Sequence, residues 1–266
     1  MDILKRNKAP FSAAIWSALE SEAAAVFAKH LSGRKVVDFT GPNGLEFSGV
    51  NTGRVVATKE KLAQVLVGVR ESLAVVELKV PFEIKESEIE LILRGANAFD
   101  NASIVAAARA LCDAENELVF EGYKKAGIAG LVDSLEQKPV KVKGDDILPG
   151  VAEAVKTLAN DQVEGPYALL IQPQYYAKLF SAAGNAGYPL TKKLNELLQG
   201  GEVLTVPSLK KGAMVMSLRG GDYEILSGVD IAMGYNKETA EGHELFLFES
   251  LTFRVNTPEA AIALEW

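Results

Sequence analysis

The stretch from residue 45 to 84 most constrains what this chain can fold into. From Leu45 to Arg70 it alternates in β fashion, carries Gly49, Gly53 and Gly68, and shows little helical periodicity. From Leu73 to Ile84, with Val75, Val76, Leu78, Val80 and Phe82, it reads as one long strand. The two halves together predict a long two-stranded arm. An isolated hairpin is marginally stable in water and needs a surface to pack on. The first expectation is therefore an oligomer.

Around this arm the chain alternates helix and strand. Ser12 is placed to cap a helix whose apolar stripe is Ile15, Trp16, Leu19, Ala23, Val26, Phe27 and Leu31, with Gly33 as its C-cap glycine. Val36 to Phe39 is a short strand before the Gly41-Pro42-Asn43-Gly44 turn. Helices follow over Glu86 to Arg94 and over about Asn101 to Lys125, the second a spine with Ile104, Ala108, Leu111, Leu118 and Val119 on one face. Asp113, Glu117 and Glu121 form a solvated or interface acidic face on that spine, since no Glu-x-x-His pair accompanies them. Gly127 to Leu131 reads as a turn, and residues 135–144 as a hairpin or loop. Helices are expected at Ile147 to Asn160, Pro173 to Ala183 and Leu190 to Leu198, and strands at Tyr167 to Ile171 and Val203 to Val206. The last quarter is β-rich: Met214 to Arg219, Tyr223 to Leu226, Val229 to Tyr235 and His243 to Val255. The last of these is apolar on both faces, so both faces must be covered. His243 itself is expected at a turn.

Chemistry is sparse. There are two histidines, His30 and His243, and one cysteine, Cys112, in 266 residues. An intrachain disulfide is impossible, and a cytosolic home is the default expectation. Most metal and acid–base sites lean on His or Cys. Cys112 in its alanine-rich helix reads as a small buried hydrophobe. Arg219-Gly220-Gly221-Asp222 reads as a tight turn between strands, and Lys5, Arg6 and Lys8 as a solvated basic terminus. No nucleophile elbow and no zinc-binding His pair occurs. The charge, 28 Lys+Arg against 35 Asp+Glu, is −7 and argues against nucleic acid or an anionic membrane as partner. No secretory signal and no run of about 20 apolar residues is present. The residues alone favour a binding or structural protein.

The ordered set of motifs carries a resemblance. Leu4-Lys5-Arg6 with Ala9-Pro10 and Trp16 comes first, then Leu31-Ser32-Gly33-Arg34-Lys35-Val36-Val37-Asp38 with Gly41-Pro42. Phe120-Glu121-Gly122 with Gly127 to Leu131, Glu164 to Tyr167, Gly187-Tyr188-Pro189, Arg219 to Tyr223, Gly234-Tyr235 and Glu249 to Phe253 follow in order. The chain resembles the family 1 encapsulins, nanocompartment shell proteins with the fold of the tailed-phage HK97 major capsid protein.

The resemblance implies an α+β, HK97 major-capsid-like fold. Its parts would be an N-terminal helix and the start of the peripheral domain at 1–44, an extended arm (E-loop) at 45–84, and the peripheral domain with its spine helix at 85–134. An axial domain at 135–222 and C-terminal peripheral-domain strands at 223–266 would complete it. It implies an icosahedral shell of about 60 copies, not an enzyme, that encloses a DyP-type peroxidase or a ferritin-like protein bearing a C-terminal targeting peptide. The peptide would dock on Phe27, Leu31, Arg34, Asp38, Asp230, Ile231, Met233 and Tyr235. Apolar walls would take aliphatic side chains, and Arg34 and Asp38 would fix orientation. Alternatively Phe27 and Leu31 are plain core and Arg34–Asp38 a local ion pair. Gly184, Asn185, Ala186, Gly187 and Tyr188 would form the five-fold pore loop. Some members stack a flavin on a tryptophan before the spine helix. Here that stretch reads Lys85-Glu86-Ser87-Glu88, so no flavin, other cofactor or metal is expected. Nucleic acid and membrane are not expected partners. A phage capsid protein and a hydrolase or bacteriocin-like activity are the alternatives.

Overall fold

The computed structural model describes residues 3–144, 146–176, 190–209 and 212–266, leaving aside the side chains at 58–60. Among them, two sheets organise the chain. A four-stranded sheet has the order β1(Asp38–Thr40), β11(Tyr223–Glu238), β12(Gly242–Val255), β4(Val76–Lys85). A five-stranded sheet has the order β7(Val140–Lys141), β13(Ala261–Glu265), β10(Ala213–Ser217), β8(Tyr167–Ile171), β9(Val203–Thr205). Helices α1(Ala13–His30), α2(Glu86–Leu93) and α3(Ala102–Glu121) cover the first sheet, and α4(Leu148–Asn160) and α5(Leu190–Leu197) belong to the second.

Periodicity explains why these segments are helices. Ile15, Trp16, Leu19, Ala23 and Val26 are the buried positions of α1, and Ser12 Oγ accepts the Ile15 N–H at 3.4 Å as its N-cap. Its end is closed from outside: Asn116 on α3 donates through Nδ2 to the His30 carbonyl (2.7 Å) and accepts the Gly33 N–H (2.9 Å). Gly33 is not a left-handed C-cap, as the sequence suggests. It lies in a 3-10 turn, Gly33–Lys35, and a Cβ there would sit 3.3 Å from the Val119 methyls. Close approach to α3 is what that glycine permits.

Hydrophobic burial divides into two cores. One joins α1, α2, the first half of α3, β4 and the start of β12 through Leu19, Ile104, Leu111, Leu245 and Leu247. The other joins the end of α3, the far part of β12 and the five-stranded sheet through Leu118, Phe120, Leu251, Phe253 and Val215. Helix α3 and strand β12 therefore run through both. Both faces of β12 are buried, as its sequence requires.

The arm is shorter than the sequence suggests. Only β2(Gly49–Leu62) and β3(Val65–Ala74) form the separate two-stranded sheet. Strand β4, expected as the arm's return, instead pairs with β12 from Val76↔Leu251 to Lys85↔Gly242. Its inward Phe82 and Ile84 are buried, which draws it into the core. The arm keeps Val55, Val56, Leu62, Val65, Leu66 and Val69 exposed, with Leu62 at 72% and Leu66 at 78%.

Other boundaries moved for local reasons. The spine helix stops at Glu121 because Gly122, at φ +76°, starts a short hairpin, β5(Gly122–Tyr123) with β6(Ile128–Ala129). The two expected strands at 223–235 are one strand, β11, bent by register shifts near residues 228 and 230–231. The sequence pattern does not mark strand β13. It is short, and its neighbours Val140–Lys141 and Ala213–Met216 are remote in sequence.

The β5–β6 hairpin gives a stability test. A Cβ at Gly122 would lie 2.3 Å from the Gly130 nitrogen, whereas one at Gly127 (φ +70°) meets nothing within 4 Å. Gly122→Ala should cost about 2–4 kcal/mol, because backbone must move as well as adopt left-handed φ. Gly127→Ala should cost only about 1 kcal/mol. Thermal melts of the two variants check the ordering.

Candidate functional site

The 3-10 turn that follows α1 carries Arg34 to the bulge in β11, where it holds Asp230. Phe27 is half-buried against the first core, and Leu31 is buried. The 3-10 turn directs Arg34 toward α3 and β12. Its Nε donates to Glu115 Oε2 at 2.8 Å, and Nη2 to Glu115 Oε2 at 2.6 Å and Glu249 Oε2 at 3.0 Å. Nη1 donates to Asp230 Oδ1 at 2.7 Å. The Arg34 guanidinium also lies over the Phe39 ring, 4.5 Å from its centroid. Burial alone would lower the Arg34 pKa, but Glu115 and Asp230 hold it above the ordinary arginine value.

Asp230 and Ile231 occupy the β11 bulge, where the register with β12 shifts between Val229↔Ser250 and Ala232↔Phe248. Asp230 Oδ1 accepts the Ile231 N–H at 2.8 Å, so one carboxylate both holds Arg34 and fixes the bulge. Its side chain is 44% exposed, and Ile231 is half-buried against the first core. Past the bulge, β11 turns inward. Met233 is buried, and Gly234 leaves room for the Phe246 ring, which a Cβ would meet at 2.3 Å. The Tyr235 N–H donates to the Leu4 carbonyl at 2.8 Å, so the N-terminal segment lies along this strand. Tyr235 Oη is 3.4 Å from His243 Nδ1, and His243 Nε2 is 2.7 Å from Glu86 Oε2. His243 is therefore buried, not at an open turn, with the Phe11 ring edge-on at 4.9 Å.

The eight residues expected at a peptide dock thus separate. Phe27 and Ile231 are each half-buried against the first core, Asp230 is 44% exposed at its side chain, and Arg34, which holds it, is 20% exposed. Leu31, Met233 and Tyr235 are buried among the supporting residues. Asp38 does not join Arg34. Its Oδ2 accepts the Gly221 N–H at 2.5 Å and pins the Arg219–Asp222 turn. That turn is closed further by Arg219 Nη2 on Asp222 Oδ1 at 2.8 Å. The loop Gly184, Asn185, Ala186, Gly187 and Tyr188, and most of the expected helix before it, lie outside the described residues.

Two residues that the sequence reading passed over complete the site. Glu115 and Glu249 have side chains 0% and 1% exposed. The signal was present: Glu115 continues the apolar stripe Ile104, Ala108, Leu111 and Leu118, and Glu249 interrupts Leu245, Leu247, Leu251 and Phe253. A carboxylate in register with a buried stripe needs a partner. Cys112 lies beside them, and burial together with Glu115, Asp113 and Glu249 pushes its thiol up to about 12. Among the described residues, no group of three or more His, Cys, Asp or Glu is arranged to hold a metal ion, and no helix is long and apolar enough to cross a membrane.

Removing one member of a buried ion cluster strands the others. Arg34→Leu should destabilise the subunit by about 3–5 kcal/mol, and Arg34→Lys should recover only part of this, because a point ammonium cannot reproduce the fork on Glu115. Denaturant melts of the two variants check the order.

The family described as "Encapsulating protein for peroxidase" matches residues 1–252. The type 1 encapsulin shell protein of Rhodospirillum rubrum is 38% identical over 272 residues, covering 99% of this chain and 96% of that one. That of Mycobacterium tuberculosis is 35% identical over 266 residues, covering 99% of each. Among solved structures, the virus-like particle from Pyrococcus furiosus matches with a TM-score of 0.68 at 19% identity, over 94% of this chain and 99% of that one. The capsid of Myoviridae phage XM1 matches at 0.56 and 12% identity, over 88% and 90%. These structures show the fold, the mixed α+β architecture common to encapsulins and HK97-like phage capsids. Kinship rests on the sequence matches spanning nearly the whole chain: it belongs to the type 1 encapsulin shell proteins, structural proteins that build a nanocompartment and are not enzymes.

Proposed function

We propose that about 60 copies of this chain close an icosahedral shell, and that its cargo is retained by a C-terminal targeting peptide docking where α1 meets the β11 bulge. The docking reading is supported by two half-buried apolar residues, Phe27 and Ile231, packed on one core, and by an Asp230 that Arg34 holds in place. An extended apolar peptide gains affinity from such walls, and a fixed carboxylate selects a cationic or hydrogen-bond-donating residue beside them. Phe27, Ile231 and Asp230 are the contacting residues in this reading. Arg34, Leu31, Met233 and Tyr235 shape the floor, and Asp38 holds the neighbouring turn.

The cargo in this reading is a DyP-type peroxidase or a ferritin-like protein. The family's own description favours the peroxidase. The pore role of residues 184–188 rests on the resemblance of Gly187-Tyr188-Pro189 and its neighbours to the family pattern.

The test is retention of a reporter protein fused to the C-terminal segment of a candidate cargo and co-expressed with the shell. Phe27→Asp and Ile231→Asp should each lower the reporter in purified particles at least about ten-fold, since a buried apolar contact of about 1.5–3 kcal/mol is lost and a charge desolvated. Particle size should not change. Full loading in both variants would contradict the dock. Met233 is the wrong residue for this test, because at 2% exposure a charge there disrupts the core itself.

A further inference from the structure

Helix α3 and strands β11 and β12 pass through both hydrophobic cores, and α3 and β12 each place one glutamate at the seam between them. On α3, Leu111 belongs to one core and Leu118 to the other, with Glu115 between. On β12, Leu247 and Leu251 divide in the same way around Glu249. Arg34 reaches this seam from the 3-10 turn, and one nitrogen, Nη2, donates to both glutamates, at 2.6 and 3.0 Å. The same guanidinium holds Asp230.

The charges do not balance if every group is ionised. One guanidinium would face three carboxylates, a net charge of −2, with Glu115 and Glu249 withdrawn from water. Like charges at such a site cannot both ionise without large cost. Glu115 receives the two-pronged grip of Arg34, whereas Glu249 receives one bond, and its Oε1 is buried with no hydrogen-bond partner. The other titratable group facing Glu249 from α3 is the Cys112 thiol. From β4 the residue opposite is Leu78, which offers no charge.

We propose that Glu249, held with Glu115 on one nitrogen of Arg34, carries a proton at neutral pH, so that the seam between the two cores is an acid-dependent latch that loosens in alkali. Burial first, and then Glu115, raise the Glu249 carboxyl well above 4.5, in the direction the geometry requires. The latch is not part of the docking reading, although Asp230 joins the two through Arg34.

The sign follows from proton counting. The folded chain binds the proton more tightly than the unfolded one, so this contribution to stability is fully present below 4.5 and is lost as the pH rises through the raised value. Glu249→Gln supplies a neutral group of nearly the same shape with no proton to lose. The Tm difference between Glu249→Gln and the native shell should therefore grow in the variant's favour from about pH 6 to about pH 9. Native particles at neutral pH should show an infrared C=O stretch of a protonated carboxyl that Glu249→Gln lacks. Glu115→Gln is the second variant: it removes the like charge but not the burial, so the same band should give way to the carboxylate at lower pH than in the native shell. A Tm difference constant with pH, or a protonated-carboxyl band unchanged in both variants, would overturn the proposal.

Discussion

Arg34 is the contact on which the arrangement depends. It rises from a three-residue 3-10 turn and ties α3, β11 and β12 together where two hydrophobic cores meet. A continuous apolar core would be cheaper to build, because a buried ion cluster is at best a weak source of stability. What the cluster adds is position. The fork on Glu115 ties the 3-10 turn to α3, and the third carboxylate, Asp230, accepts the Ile231 N–H within the β11 bulge. The outward-facing site and the inward charge cluster are two sides of one guanidinium.

The second constraint is the arm. The chain exposes 14,527 Å², against about 11,000 Å² for a compact chain of its 28.5 kDa mass. Part of the excess is the β2–β3 ribbon with its exposed Val55, Val56, Leu62, Val65, Leu66 and Val69. A two-stranded ribbon with that much exposed aliphatic surface is unfavourable for a free subunit. It suits a protein whose working state is an assembly.

Much of this was legible in the sequence, and the reasons differ by element. The stripes of α1 and α3 and the two-faced β12 were readable because periodicity reports burial directly. The extent of the arm was not, because β4 has the same alternation whether it returns along β2 or joins β12. Only the partner decides. Short β13 and the merging of two strands into β11 were hidden for the same reason, since their pairings are long-range. At the candidate site, the resemblance points to Arg34 and Asp230, while the sequence offers only Asp38 as an alternative ion-pair partner for Arg34. Glu115 and Glu249 stand 81 and 215 residues from it, and nothing local marks them except charge within an apolar pattern. Asp38, only four positions from Arg34, was the obvious partner and serves a different turn.

This chain is an encapsulin shell protein, and its β2–β3 ribbon leaves aliphatic surface exposed on the single subunit. The most direct test is the mass and shape of the chain expressed alone, by size exclusion with negative-stain microscopy. Closed particles of uniform diameter, with a mass near about 60 subunits, are the predicted result. A monomer or dimer at working concentration would contradict it.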